Sequence, residues 1–168
     1  MQISINQNLP NSTFYQMTDS GVQALKLADL ARGKNIVLIG MPGAFTKTCD
    51  SFHLPSLVTN CSAIFKKGID EILCVVVNDV HVAKAWGDFS GATQAGIKIL
   101  ADVESQFAKS IGLDFSVPKI GFFNRLQRVA IIAQDNSIVH LQLEPDRSNC
   151  SLTSGDYLLS ILSEVLKD

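Results

Sequence analysis

A positive charge excess, a long apolar run and a Cys-x-x-Cys pair are all missing from this 168-residue sequence. Its 14 Lys and Arg stand against 16 Asp and Glu, a net charge of −2. Without a net positive field to gather phosphates, neither nucleic acid nor an anionic membrane is an expected partner. Apolar runs such as Ile36–Ile39 fall far short of the roughly 20 residues that span a bilayer. The opening residues, MQISINQNLPNS, show no basic region followed by an apolar stretch. No secretory signal is read there, and the expectation is a cytoplasmic protein. Internal repeats, low-complexity tracts and linker-like segments are absent too, so one domain is expected over residues 1–168. What is present is a globular composition, 46% hydrophobic and 18% charged. A chain of this size buries roughly 70% of its unfolded surface and needs no staples. Its four cysteines, Cys49, Cys61, Cys74 and Cys150, therefore read as reduced thiols rather than a disulfide framework.

After a short N-terminal helix, periodicity and punctuation give an element order of β-α-β-α-β-α-β-β-α. A short helix is predicted over Val22–Ala31, then a buried strand over Asn35–Gly40. After a Gly/Pro loop, Met41–Thr48, a helix is predicted over Cys49–Lys67, with Pro55 expected to kink it. Ile69–Val77 reads as a central strand. The Asn78-Asp79 pair then caps a helix over Val80–Phe89. A strand over Ile97–Leu100 precedes a helix that Asp102 caps and Gly112 ends. Arg128–Ala133 and Ile138–Leu143 form a hairpin about Asp135-Asn136. A last helix covers Ser154–Leu166. Parallel crossovers followed by an antiparallel hairpin imply an α/β fold, with a mixed central sheet covered by helices on both faces and an N-terminal extension.

One segment carries chemistry: Gly40-Met-Pro-Gly-Ala-Phe-Thr-Lys-Thr-Cys-Asp-Ser-Phe-His-Leu-Pro55. Cys49 lies where a strand has ended, a Gly/Pro loop has turned the chain and a helix begins. Free backbone N–H groups and the positive end of the helix dipole meet there and favour thiolate, the nucleophilic form. The Thr46 hydroxyl, three residues earlier, is able to orient a small oxygen-containing substrate beside the sulfur. Pro42 fixes φ, carries no N–H and shields the loop. The alternative is a small buried cysteine at a helix start with Thr46 as its cap.

These residues resemble a family. Pro42-x-x-x-Thr46-x-x-Cys49 matches the active-site motif of the peroxiredoxins, and PGAFTKTCDSFHLP is similar to the type II or type V subgroup. Asp70-Glu-Ile-Leu-Cys74, Val77-Asn-Asp79, Ala85-Trp86, Arg125-Leu-Gln-Arg128 and Glu144-Pro-Asp146 follow in the subgroup's order along nearly the whole chain. The resemblance implies a thioredoxin-like fold and a thiol-dependent peroxidase acting on hydrogen peroxide and organic hydroperoxides. It implies Cys49 as the peroxidatic cysteine, oxidised to a sulfenic acid. Thr46 would be the peroxide-binding residue, Arg128 the active-site arginine and Pro42 the fourth member. A guanidinium suits the chemistry because it favours the thiolate and binds peroxide oxygens as charge moves to the leaving group. Arg125 is a rival, read as a surface arginine in a turn. No prosthetic cofactor or metal is implied. The reductant would be an external thiol such as glutathione, glutaredoxin or thioredoxin. A homodimer is implied, with Phe45 and Trp86 as interface candidates. Two residues depart from the pattern. Lys47 replaces a proline and is read as solvated; Asp50 replaces a small residue and places a carboxylate beside Cys49.

A sulfenic acid must be resolved by a thiol. By the same resemblance, Cys74, 25 positions after Cys49, and Cys150, in a polar segment, compete for the resolving role. A one-cysteine cycle closed by an external thiol is the third route. Cys61 lies roughly 18 Å along the helix from Cys49 at 1.5 Å per residue and is read as packing. His53, four residues after Cys49, is compatible with half a metal site or a thiol–imidazole pair, but lacks a second Cys/His pair and is read as structural. The alternative to an enzyme is a non-recycling peroxide sensor on the same fold; the missing Cys-x-x-Cys argues against a disulfide oxidoreductase.

Overall fold

The computed structural model describes residues 3–166. Its centre is a three-stranded parallel unit: β3 (Asn35–Met41), β4 (Glu71–Val76) and β5 (Ile97–Ala101). The unit is extended at one edge by the antiparallel strands β8 (Val129–Gln134) and β9 (Ser137–Leu143), and at the other by β1 (Thr13–Thr18) and β2 (Gly21–Lys26). The sheet order is β2-β1-β5-β4-β3-β8-β9. Strand alternation divides the core in two. Val37, Ile39, Met41, Ile72, Cys74, Val76, Ala130 and Ile132 face one cluster, and Ile36, Leu38, Leu73, Val75, Val129 and Ile131 face the other. Four helices, α2 (Leu54–Lys66), α3 (Val80–Phe89), α4 (Ala92–Ala95) and α6 (Gly155–Val165), cover the first face. The shorter α1 (Leu27–Ala31) and α5 (Gln106–Ser110) cover the second. The mixed sheet with helices on both faces is the expected fold class.

Two local expectations are corrected, and a segment with no predicted element forms a hairpin. The N-terminal extension is a hairpin added to the sheet edge, so Gly21–Lys26 is strand and only Leu27–Ala31 is helical. Gly21, at φ 108°, takes a turn conformation few side chains tolerate, and Val22-Gln-Ala-Leu25 then pairs residue by residue with β1. The helix after Asp102 is shorter than expected, Gln106–Ser110, although Asp102 still accepts from the N–H groups of Phe107 (3.2 Å) and Ala108 (3.0 Å). The segment between α5 and β8 forms a separate hairpin, β6 (Asp114–Val117) and β7 (Phe122–Leu126). Its strands are short, and their register shifts between Phe115 and Val117, which blurs the period-2 signal.

The expected helix over Cys49–Lys67 begins differently. Lys47 and Thr48 are already helical, Cys49–His53 is a π-turn, and α2 follows. Leu54 N–H reaches back to the carbonyl of Cys49, five residues away. Pro55 has no N–H to give, and the widened turn before it absorbs the break that proline imposes. Pro55 falls in the first turn of α2, where proline costs little.

Candidate active site

The site sits at the carboxyl ends of the parallel strands β3 and β4, where open α/β sheets place their ligands. The loop leaving β3 carries Pro42 and Thr46 into the helical turn that bears Cys49. Cys49 is wholly buried. Arg128, just before β8, is also buried, at 1% exposure, and its Nη2 donates to Cys49 Sγ at 3.4 Å. The same Nη2 donates to the Arg147 carbonyl (3.0 Å), and Nη1 lies 2.7 Å from His53 Nδ1. Guanidinium nitrogens only donate, so Nδ1 is the acceptor. Nε2, 2.8 Å from the Thr153 carbonyl, must then carry the imidazole proton. His53 is a neutral ring in one fixed tautomer. Burial, with the nearby Arg128 charge adding to it, lowers its pKa to about 3.

Thr46 donates its hydroxyl hydrogen to the Gly43 carbonyl at 2.8 Å, which leaves Oγ1 as an acceptor. Phe45, the residue before it, has φ 58°, a left-handed conformation that costs a bulky residue about 1–3 kcal/mol. The loop is held from outside. Asn78 Oδ1 accepts from Ala44 N–H (3.0 Å) and from Arg125 Nη1 (3.2 Å), and Nη1 also donates to the Pro42 carbonyl (3.3 Å). Arg125 is therefore no surface residue in a turn. It is half-buried on β7, its guanidinium 4.9 Å from the centroid of Phe122, and burial lowers its pKa. Asn78 reads in the sequence as part of a cap, but Asp79 alone caps α3, accepting from His81 (2.9 Å) and Val82 (3.0 Å). That frees Asn78 for the loop. No local sequence signal marks it, because its partners lie on other elements.

The two departures from the motif resolve simply. Lys47 is exposed. The Asp50 carboxylate accepts from Trp86 Nε1 at 2.7 Å, which gives it a buried partner on α3 instead of leaving it to oppose Cys49 alone. Trp86 is fully buried in the core, so the expectation of an interface role for it is corrected; Phe45, 49% exposed and 5.8 Å from the ring of Phe89, stays at the surface.

A cleft of about 320 Å³ is lined by Pro42, Thr46 and Arg128 and, from the hairpin, by Phe115, Val117 and Phe122. Arg147 lies 4.3 Å over the Phe115 ring at the edge. The other thiols differ sharply. Cys74 is wholly buried on β4 in the same apolar cluster as Cys49, and burial pushes its thiol far up. Cys61 is buried and donates to the Ala95 carbonyl at 3.1 Å, as packing requires. Cys150 is half-buried, in the segment between β9 and α6; burial raises its thiol and the Arg128 charge opposes the rise. Among the described residues, no group of three His, Cys, Asp or Glu side chains is arranged to hold a metal.

The Redoxin family model matches residues 5–159. The chain is 30% identical over 167 residues to peroxiredoxin-2B of Arabidopsis thaliana, covering 98% of this chain and 97% of that one. It is 34% identical over 146 residues to peroxiredoxin-2C of Oryza sativa subsp. japonica, covering 87% and 85%. Among solved structures it is similar to a reduced Prx3 of Vibrio vulnificus in complex with hydrogen peroxide, with TM-score 0.86, 36% identity and coverage of 95% and 99%. It is also similar to peroxiredoxin 5 of Alvinella pompejana, with TM-score 0.83, 26% identity and coverage of 96% and 99%. A peroxidase is thereby favoured over a non-recycling sensor, and the chain belongs to the peroxiredoxins, of the type II/type V kind, as a thiol-dependent peroxidase.

Proposed function

We propose that Cys49 is the peroxidatic nucleophile and that Arg128, Thr46 and Pro42 complete its site. The observation that carries this reading is the Arg128 Nη2 donor 3.4 Å from the buried Cys49 Sγ, on an arginine that also lines the cleft. A guanidinium there favours negative charge on sulfur and then follows the charge onto oxygen. Thr46 Oγ1, its own hydrogen engaged with Gly43, accepts the hydroperoxide O–H and aims the distal oxygen at sulfur. The thiolate forms an S–O bond as the O–O bond breaks. Sulfur gives two electrons, the leaving oxygen takes a proton, and the products are a sulfenic acid and an alcohol or water. The cleft far exceeds the needs of a two-oxygen substrate, and its aromatic hairpin wall suits the carbon body of an organic hydroperoxide.

The electrons return from an external thiol, with no bound cofactor needed. Of the internal candidates, we propose Cys150 ahead of Cys74. Cys150 is part-exposed on a segment tied to the Cys49 turn by a bond from Thr48 Oγ1 to the Ser148 carbonyl (3.1 Å). Cys74 is fixed in register against Ile39 and Ile99 in the middle of the sheet. A homodimer through the exposed Phe45–Phe89 pair is part of the same reading.

The reaction is tested by mixing reduced protein with one equivalent of hydrogen peroxide or cumene hydroperoxide. Stoichiometric oxidation abolished by Cys49→Ser, with turnover on adding a thiol reductant, is expected. Oxidation that survives Cys49→Ser overturns the assignment. Mass spectrometry of the product separates a Cys49–Cys150 bridge from a Cys49–Cys74 bridge or an unpaired sulfenic acid.

A further inference from the structure

Arg128 has an acidic neighbour that does not neutralise it. Val129 pairs with Leu143 in the β8–β9 register, and one step on, Glu144 N–H donates to the Arg128 carbonyl at 3.1 Å. Directly opposed residues of an antiparallel pair send their side chains to the same face. Glu144 and Arg128 therefore leave the sheet side by side, and both are buried, at 3% and 1% exposure. A carboxylate in that position is the natural partner for a guanidinium. Yet among the described residues no ion pair joins them.

The carboxylate is turned elsewhere. Glu144 Oε1 accepts from the Leu152 N–H at 2.5 Å and from the Thr153 hydroxyl at 3.2 Å. These two donors flank the Leu152–Thr153 peptide and fix the orientation of Thr153, which is wholly buried. The Thr153 carbonyl in turn holds the Nε2 proton of His53, and His53 Nδ1 receives Arg128 Nη1. Arg128 Nη2 is then left to face Cys49. We infer that Glu144 is a positioning residue for the peroxide reaction: by clamping Leu152 and Thr153 it locks the His53 tautomer that aligns Arg128 on Cys49, and it is itself kept from pairing with Arg128. Were Glu144 free to swing to the guanidinium, it would compete with the sulfur for the same donors.

The inference rests on the peroxidase reading of Cys49 and Arg128, and the control for that reading is wild-type oxidation by hydrogen peroxide at Cys49. If the wild-type does not react, the peroxidase reading has failed and not merely this one. Given a reactive wild-type, two substitutions separate geometry from charge. Glu144→Gln removes the charge but keeps an oxygen acceptor for Leu152 and Thr153; Glu144→Ala removes both. The second-order rate constant for Cys49 oxidation by hydrogen peroxide is expected to fall about tenfold in Glu144→Ala and to stay within about threefold in Glu144→Gln. A role confined to the fold would lower urea midpoints without this split. A wild-type rate in Glu144→Ala, or equal losses in the two variants, overturns the inference. Should Glu144→Ala fail to fold, Thr153→Val, which loses only the hydroxyl bond, decides: a slower rate supports the clamp and an unchanged rate removes it.

Discussion

Arg128 Nη1 lies 2.7 Å from His53 Nδ1 while its Nη2 lies 3.4 Å from Cys49 Sγ, so a neutral imidazole sets the angle at which a cation meets the nucleophile. The planar fork is essential here. One guanidinium serves the sulfur, the imidazole and the Arg147 carbonyl together. A lysine ammonium is a single point donor on a flexible stem and cannot meet three partners at these bearings. Arg128→Ala is expected to slow peroxide oxidation of Cys49 by more than about tenfold, the scale of a lost charge-assisted hydrogen bond. Arg128→Lys is expected to recover little of that loss. Stopped-flow mixing with hydrogen peroxide measures both, and a wild-type rate in Arg128→Ala would mean that a different group supports the sulfur.

The neutral state of His53 has a consequence for acid stability. Its folded value is about 3, against an ordinary 6.5. Above pH 6.5 both folded and unfolded chains hold it neutral, and its contribution to stability is complete. As pH falls below 6.5 the unfolded chain takes a proton that the folded chain refuses until about pH 3. Stability therefore falls across that window, by at most about 1.4 kcal/mol per pH unit from this residue. A glutamine at this position can give an N–H to Thr153 and an oxygen to Arg128 without titrating. His53→Gln is expected to lose less stability than wild-type between pH 6 and pH 4, by urea unfolding. Parallel curves for the two proteins would mean that His53 is not the group that titrates.

The Pro42–Ala44 loop is braced by Arg125 and Asn78, and Gly43 makes room for that brace. A Cβ on Gly43 would overlap Arg125 Nη1. The far end of an arginine can swing aside, so Gly43→Ala is expected to fold but to release Arg125 from the Pro42 carbonyl and from Asn78 Oδ1. Arg125→Ala removes the same bonds directly. Both single variants are expected to slow the peroxide reaction, and the double variant is expected to be no worse than Arg125→Ala alone. That non-additivity is the signature of one shared interaction. Fully additive losses would show that Gly43 acts by another path.

How much of this was legible in the sequence follows from the range of each interaction. β3, β4, β8 and β9 are visible because short apolar, β-branched runs bounded by turn residues mark them. Cys49, Thr46 and Pro42 are visible because one short segment holds all three. Arg128 enters through resemblance, since nothing in its neighbourhood says that it crosses to Cys49, 79 residues away in the chain. Arg125, Asn78 and Glu144 escape a linear reading for the same reason: each serves partners on another element. His53 is read as structural, which describes its neutral ring but not its hold on Arg128. The β6–β7 hairpin, which walls the cleft, has strands too short and too irregular to show a period. The β2 strand is mistaken for helix because six residues with one pairing partner carry no decisive period of their own.

Asp50 is the departure from the motif that the structure explains most directly, and it can be tested apart from catalysis. Its carboxylate accepts from Trp86 Nε1 at 2.7 Å, and Trp86 is fully buried. A buried indole N–H left without an acceptor costs about 1–3 kcal/mol. Asp50→Ala is thus expected to lower unfolding stability by that amount, whereas Asp50→Asn, which keeps an oxygen at the same reach, is expected to lose less. If Asp50 instead acted on Cys49 as a negative charge through space, both variants would remove that opposition and accelerate peroxide oxidation alike. The expected result is a stability difference between Ala and Asn without a shared gain in rate. Urea unfolding and peroxide kinetics on the same preparations read the two effects separately, and a common acceleration with equal stabilities would reassign Asp50 from a partner of Trp86 to an electrostatic brake on the nucleophile.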